Sequence, residues 1–118
     1  MIKNYKEITA DLAPFMAKLR KEIPEVMHGF RTMAQAATKD GALDTKTKEL
    51  IALALGIAAR CDGCIGFHMQ TLITLGLNRE ELLETLSMAI YMGGGPSYIY
   101  AAHALKAFEE MSPTSNGY

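Results

Sequence analysis

At 118 residues the chain suits one domain, residues 1–118, and leaves little room for two, and a hydrophobic content of 49% excludes disorder except at the ends. Twelve basic and thirteen acidic residues leave a net charge of −1 with no dominant run of either sign, which argues against nucleic acid as a partner. Residues 1–15 lack the apolar stretch of a signal peptide, and the longest apolar run, 50–59, falls short of the ~20 residues that span a bilayer, so no membrane partner and a cytoplasmic location are expected.

Every segment with a period has a helical one, and an all-α compact bundle of about six helices is expected. The first helix is expected from near Asp11, with Pro14 in its opening turn and Leu12, Phe15, Met16 and Leu19 on one side. Ile23 before Pro24 favours a break and a restart with Pro24 at the first helical position. That second helix runs to about Ala37, with Val26, Met27, Phe30, Met33 and Ala34 expected inward. After a turn at 38–41, Asp44 caps a third helix to about Arg60. From Leu50 onward this helix is apolar on all sides, a pattern that reads as burial all round. A domain this small buries only about 60–65% of its unfolded surface, so self-association is the simplest way to cover the remainder. A fourth helix follows to Leu75, with Gly76 as its stop. Asn78-Arg79-Glu80-Glu81 opens a fifth, Gly93-Gly94-Gly95-Pro96 breaks the chain, and a last helix runs from Pro96 to about Met111, followed by a frayed tail, 112–118.

The start of the fourth helix carries the chemistry. Its cysteines, Cys61 and Cys64, are the only two in the chain, and His68 follows four residues after the second. Positions three and four apart share a helix face, so the three side chains form one stripe. Cα atoms three apart on a helix lie ~5 Å from each other, within disulfide range, so the pair can open and close without rebuilding the backbone. A thiol beside an imidazole, with a second thiol to trap what the first one forms, is a redox constellation. Cys61 sits where free N–H groups and the helix dipole favour a thiolate, whereas Cys64 has His68 one turn on. Either can be the attacking thiol on these grounds, and the imidazole favours Cys64. If the third and fourth helices form an antiparallel hairpin, positions summing to ~120 lie level, which puts Glu49 within a turn of His68. Glu49 can then join a proton relay with His68 and Cys64, reach a neighbouring subunit's thiols, or serve only as a first-turn acid favoured by the dipole. Gly63 and Gly66, poor helix-interior residues, suggest close approach of a substrate or another backbone, or an irregular helix start.

Gly41-Ala42-Leu43-Asp44, Lys48-Glu49-Leu50-Ile51-Ala52-Leu53-Ala54, Cys61-Asp62-Gly63-Cys64-Ile65-Gly66-Phe67-His68 and Met92-Gly93-Gly94-Gly95-Pro96 together resemble the alkylhydroperoxidase-D / carboxymuconolactone decarboxylase family over roughly residues 10–110. The resemblance implies an all-helical subunit assembling as a homo-oligomer, a trimer or hexamer. It implies hydroperoxide reduction through a Cys61–Cys64 disulfide, restored by a dithiol such as a lipoyl group, with Glu49, Cys61, Cys64 and His68 as the catalytic set. No cofactor or metal is expected. Asp62-Gly63 between the cysteines departs from the bulkier residues of the family's best-studied member.

Two other readings compete. A lactone decarboxylase-type acid–base enzyme would use Glu49 and His68 with incidental cysteines. A zinc-binding assembly module would use Cys61, Cys64 and His68, with Glu49, His28 or His103 as the fourth ligand. A thioredoxin-type enzyme lacks its flanking βαβ pattern. His103 and Tyr98, on the last helix, either pack or line the pocket.

Overall fold

A computed structural model describes residues 2–113, and its described residues form six α-helices and no strand. In chain order these are α1 (Tyr5–Glu22), α2 (Pro24–Thr38), α3 (Thr45–Ala58), α4 (Asp62–Thr74), α5 (Arg79–Gly93) and α6 (Gly95–Met111). The all-α reading holds. The ends are set by short polar side chains: Asp44 accepts the Thr47 N–H ahead of α3, and Asn78 and Glu81 close a reciprocal capping box ahead of α5.

One sequence expectation is corrected at the N-terminus. The first helix begins at Tyr5 rather than near Asp11, because the Asn4 side chain accepts the Glu7 N–H and caps it there. Pro14 consequently lies inside the helix and not in its first turn. The added residues, between one and two turns, matter because they supply Tyr5 and Thr9, both buried. At the other end, Ser112 is not frayed: it is buried, and its hydroxyl donates to the Phe108 carbonyl. The rest of the expected tail, 114–118, lies outside the described residues.

The core gathers Leu53 and Ile57 from α3, Ile65, Met69 and Leu72 from α4, Leu82 and Leu86 from α5, and Phe108 from α6, with Tyr5 joining from α1. Ala101, Ala104 and Ala107 keep α6 thin along its buried stripe, and α6 packs on both α4 and α5. Fully burying each large apolar side chain contributes about 1.5–3 kcal/mol.

Two expected inward faces are open in the single chain. α2 buries none of its residues, and Val26, Phe30 and Met33 are exposed, Phe30 by 59%. α3 buries Leu53 and Ile57 but leaves Ile51 and Leu55 on the surface, Leu55 by 65%. The cause is geometric. α2 packs only on α1 and α3, and the five other helices of so small a domain leave part of α3 uncovered.

The turn into α4 has a form that the sequence does not advertise. The Arg60 N–H donates to Ile57 and the Cys61 N–H to Gly56, the paired bonds of a Schellman helix end. That motif needs a left-handed residue at its first position past the cap, and Arg60 takes it with φ 55°. Glycine fills the same place after α4, where Gly76 has φ 85° and the matching bonds run from Gly76 to Ile73 and from Leu77 to Leu72. A side chain in that conformation costs about 1–2 kcal/mol. Arg60→Gly is therefore expected to raise stability by about 1 kcal/mol, read as a higher urea midpoint with unchanged slope at fixed protein concentration.

Candidate active site

The Schellman turn ends α3 and starts α4 within three residues, so the two helices run antiparallel in close contact. Cys61 is both the last residue of that turn and the N-cap of α4, where its sulfur accepts the Cys64 N–H at 3.2 Å. Cys61 and Cys64 are joined as a disulfide with their Cα atoms 5.2 Å apart. Where α3 crosses this point it carries Gly56, fully packed against the pair. A Cβ built there would meet the Cys64 Cβ at 3.0 Å.

Two helical turns back along α3, the same register brings Glu49 level with His68. Glu49 is only 6% exposed, and its Oε1 lies 2.6 Å from His68 Nδ1. A carboxylate only accepts, so Nδ1 carries the hydrogen, and in the neutral ring Nε2 is left as the acceptor. The imidazole is about one-third exposed and lines a cavity of ≈370 Å³ together with Cys61, Gly63 and Cys64. Leu12 and Met16 of α1, Phe30 of α2 and Phe67 of α4 complete its wall, which makes the lining almost wholly apolar. Glu49, Cys61, Cys64 and His68 thus meet at one place.

Gly63 and Gly66 have their explanation in α1. A Cβ at Gly66 would collide with the Thr9 methyl, and one at Gly63 would crowd Leu12, so both glycines make way for the first helix. His103 and Tyr98 do not line this cavity. Tyr98 borders a separate apolar cleft between α5 and α6, and His103 stands beside the Tyr5 hydroxyl. His28 is on α2 next to Arg31, and neither of these two histidines lines the cavity with the cysteines. No group of three or more His, Cys, Asp or Glu residues among the described residues is arranged to hold a metal ion.

A second polar cluster, unforeseen from the sequence, surrounds Asp62. Tyr5 donates its hydroxyl to Asp62 Oδ1 at 2.8 Å, and Lys3 Nζ reaches Oδ2 at 2.6 Å. Partial burial pushes the Asp62 carboxyl up, but hydrogen bonds from Lys3 and Tyr5 and the positive charge nearby outweigh it and hold the group below its ordinary value. Asp62 is therefore ionised at neutral pH, and what it contributes to stability is lost only as the pH falls through its lowered range. The signal that would have found this cluster is Asn4-x-x-Glu7, an N-cap pattern that places Tyr5 in the first turn.

The sequence profile of the carboxymuconolactone decarboxylase family matches residues 24–107. An uncharacterised protein from Cupriavidus necator is 36% identical over 112 residues, which cover 89% of this chain and 99% of that one. A Haemophilus influenzae protein, also uncharacterised, is 32% identical over 92% of this chain and 96% of its own. Among solved structures, the apo form of a carboxymuconolactone decarboxylase family protein from Legionella pneumophila superposes with a TM-score of 0.90 at 67% identity, covering 92% of this chain and 96% of that one. A Thermotoga maritima protein of the same family, for which a part in antioxidative response has been suggested, superposes with a TM-score of 0.78 at 27% identity, over 87% of this chain and 88% of its own.

The contact between Gly56 and Cys64 generates a direct test. Gly56→Ala must push α3 away from the cysteine turn, and is expected to destabilise the protein by about 1–3 kcal/mol in denaturant unfolding, despite alanine's higher helix propensity.

Proposed function

The chain belongs to the carboxymuconolactone decarboxylase family, and from that premise we propose that it is a thiol-dependent hydroperoxide reductase that cycles through the Cys61–Cys64 disulfide. The observation that carries the reading is the Glu49–His68 bond of 2.6 Å at the wall of the cavity that holds both sulfurs. A redox pair alone would fit many roles. A redox pair beside a carboxylate-oriented imidazole fits one in which protons move with electrons.

In the reduced enzyme, His68 Nε2 takes the Cys64 proton, and Glu49 stabilises the imidazolium and holds the ring. The Cys64 thiolate attacks one peroxide oxygen, the O–O bond breaks, and the leaving alkoxide takes the proton back from His68 as the alcohol. Cys64 is then a sulfenic acid. Cys61, at the cap of α4, attacks that sulfur, and hydroxide leaves with the Cys61 proton as water, closing the disulfide. A dithiol reductant, such as a lipoyl group, exchanges with the disulfide and is itself oxidised to its own disulfide. The sum is hydroperoxide plus dithiol giving alcohol, water and oxidised reductant. The apolar wall formed by Leu12, Met16, Phe30 and Phe67 suits the organic part of such a substrate.

The proposed assembly is a homo-oligomer, trimeric or hexameric. What supports it is the exposed apolar surface of α2 and α3, including Val26, Phe30, Met33, Ile51 and Leu55. Light scattering at micromolar concentration is expected to give three or six times the chain mass of 12.9 kDa, and a monomer would contradict it.

Peroxide consumption tests the chemistry. With dihydrolipoamide or dithiothreitol as reductant, the wild type is expected to consume an organic hydroperoxide, and Cys64→Ser to lose the fast step. In Cys61→Ser, oxidation should stall after one event as a sulfenic acid on Cys64, seen as a dimedone adduct by mass spectrometry. His68→Ala is expected to slow that oxidation by roughly 10²–10⁴-fold, the usual range for a lost general acid–base. A rapid adduct on Cys61 in Cys64→Ser would reverse the roles of the two thiols. Absence of an adduct in both variants would end the peroxidase reading.

A further inference from the structure

Between the two cysteines stand Asp62 and Gly63, and only Asp62 has a side chain by which the rest of the protein can hold the turn. Both of its oxygens are occupied, by the Tyr5 hydroxyl and the Lys3 ammonium. These partners are themselves fixed. Tyr5 is fully buried, its N–H donates to Glu110 Oε1 at 2.8 Å, and His103 Nδ1 stands 3.3 Å from its hydroxyl oxygen. Lys106 binds Glu110 Oε2 at 2.6 Å and the Lys3 carbonyl at 3.1 Å, which secures the segment that carries Lys3. The chain from the cysteine turn thus runs through Asp62 and Tyr5 to the half-buried His103 and Glu110 of α6. None of these groups belongs to the Glu49–His68 pair.

We propose that Tyr5 and Asp62 are positioning residues that clamp the turn between Cys61 and Cys64, and so set the equilibrium between its dithiol and disulfide forms. The inference takes from the proposed function only that this pair cycles between the two. Closing the disulfide from two thiols is an intramolecular step, and its equilibrium constant grows with the effective concentration of one thiol at the other. With glycine at position 63, the unclamped turn has more backbone freedom to lose on closure than most Cys-x-x-Cys turns. Holding Asp62 removes that freedom in the dithiol state beforehand, as pre-organisation does in any association. The clamp also works from the far end of the chain, since 57 residues separate Tyr5 from Asp62. Burial and the adjoining carboxylate hold the Tyr5 phenol well above its ordinary value, so it stays a donor throughout the neutral range.

The experiment is a redox titration in glutathione buffers without any peroxide, so its outcome is independent of whether the protein reduces peroxides. One oxidised glutathione and the protein dithiol give the protein disulfide and two reduced glutathiones, and the fraction oxidised is read by alkylation and mass spectrometry. Tyr5→Phe removes one hydroxyl and leaves the Asp62 charge in place. Its constant for disulfide formation is expected to fall about three- to tenfold, a potential about 15–30 mV less negative. Lys3→Met, an exposed change that does not threaten folding, is expected to shift it about two- to threefold in the same direction, and Lys3→Arg to restore the wild-type value. A shift confined to Asp62→Asn, with Tyr5→Phe and Lys3→Met both within error of wild type, would assign the effect to charge and overturn the clamp. Wild-type potentials in all of these variants would overturn it as well. If Tyr5→Phe does not fold, judged by circular dichroism, the Lys3 pair decides by the same criteria.

Discussion

Everything at the site depends on how α3 gives way to α4. The reversal uses three residues, Ala59, Arg60 and Cys61, and satisfies the carbonyls of Gly56 and Ile57 while it caps the next helix with a cysteine sulfur. Because the turn is so short, the two helices are locked in one register. Gly56 then sits against Cys64, and Glu49 sits two turns behind, against His68. A longer loop would allow the helices to slide, and a slide of one residue rotates every side chain by about a quarter turn away from its partner. The strained conformation of Arg60 is part of what keeps the loop short.

The surroundings divide the work between two polar systems. Glu49 and His68 are supplied by the hairpin itself, and they orient an imidazole at the cavity. Tyr5, Lys3 and Asp62 tie the cysteine turn to α1 and α6. The buried Tyr5 and Glu49 carry their polar groups inward without leaving them unpartnered, as the cost of burying an isolated charge requires. The cavity between these systems is walled by α1 and α2, whose lining residues Leu12, Met16 and Phe30 are themselves exposed. That combination, an apolar site wall continuous with an apolar surface, is what a single copy of the chain presents.

How much of this was legible in the sequence follows from which forces are local. Helical periodicity, the caps Asp44 and Asn78, the glycine stop at Gly76 and the proline starts at Pro24 and Pro96 act within a turn or two, and the helices appear where those signals put them. Cys61, Cys64 and His68 share a face because three- and four-residue spacing on a helix allows nothing else. The level of Glu49 with His68 was readable as well, given a short hairpin, because helical rise is constant. The start of the first helix is set by Asn4, a single capping side chain outside the periodic pattern, and Tyr5, Thr9 and the arrangement around Asp62 all depend on it.

What only the tertiary structure decided is which side of each helix is covered and which distant groups meet. α3 looks buried all round from its composition, but composition cannot say how many neighbours a helix will have, and Ile51 and Leu55 stay on the surface of the single chain. Gly63 and Gly66 left substrate and backbone as open explanations until α1 was seen to occupy the space beside them. The joining of Asp62 to Tyr5 and of Tyr5 to Glu110 spans 57 and 105 residues, and no periodic pattern reaches so far. By itself the sequence determined the helices and the stripe of reactive side chains, because those follow from neighbours along the chain. The packing determined the partners of that stripe, because burial and hydrogen bonding between distant residues are settled only when the helices close on one another.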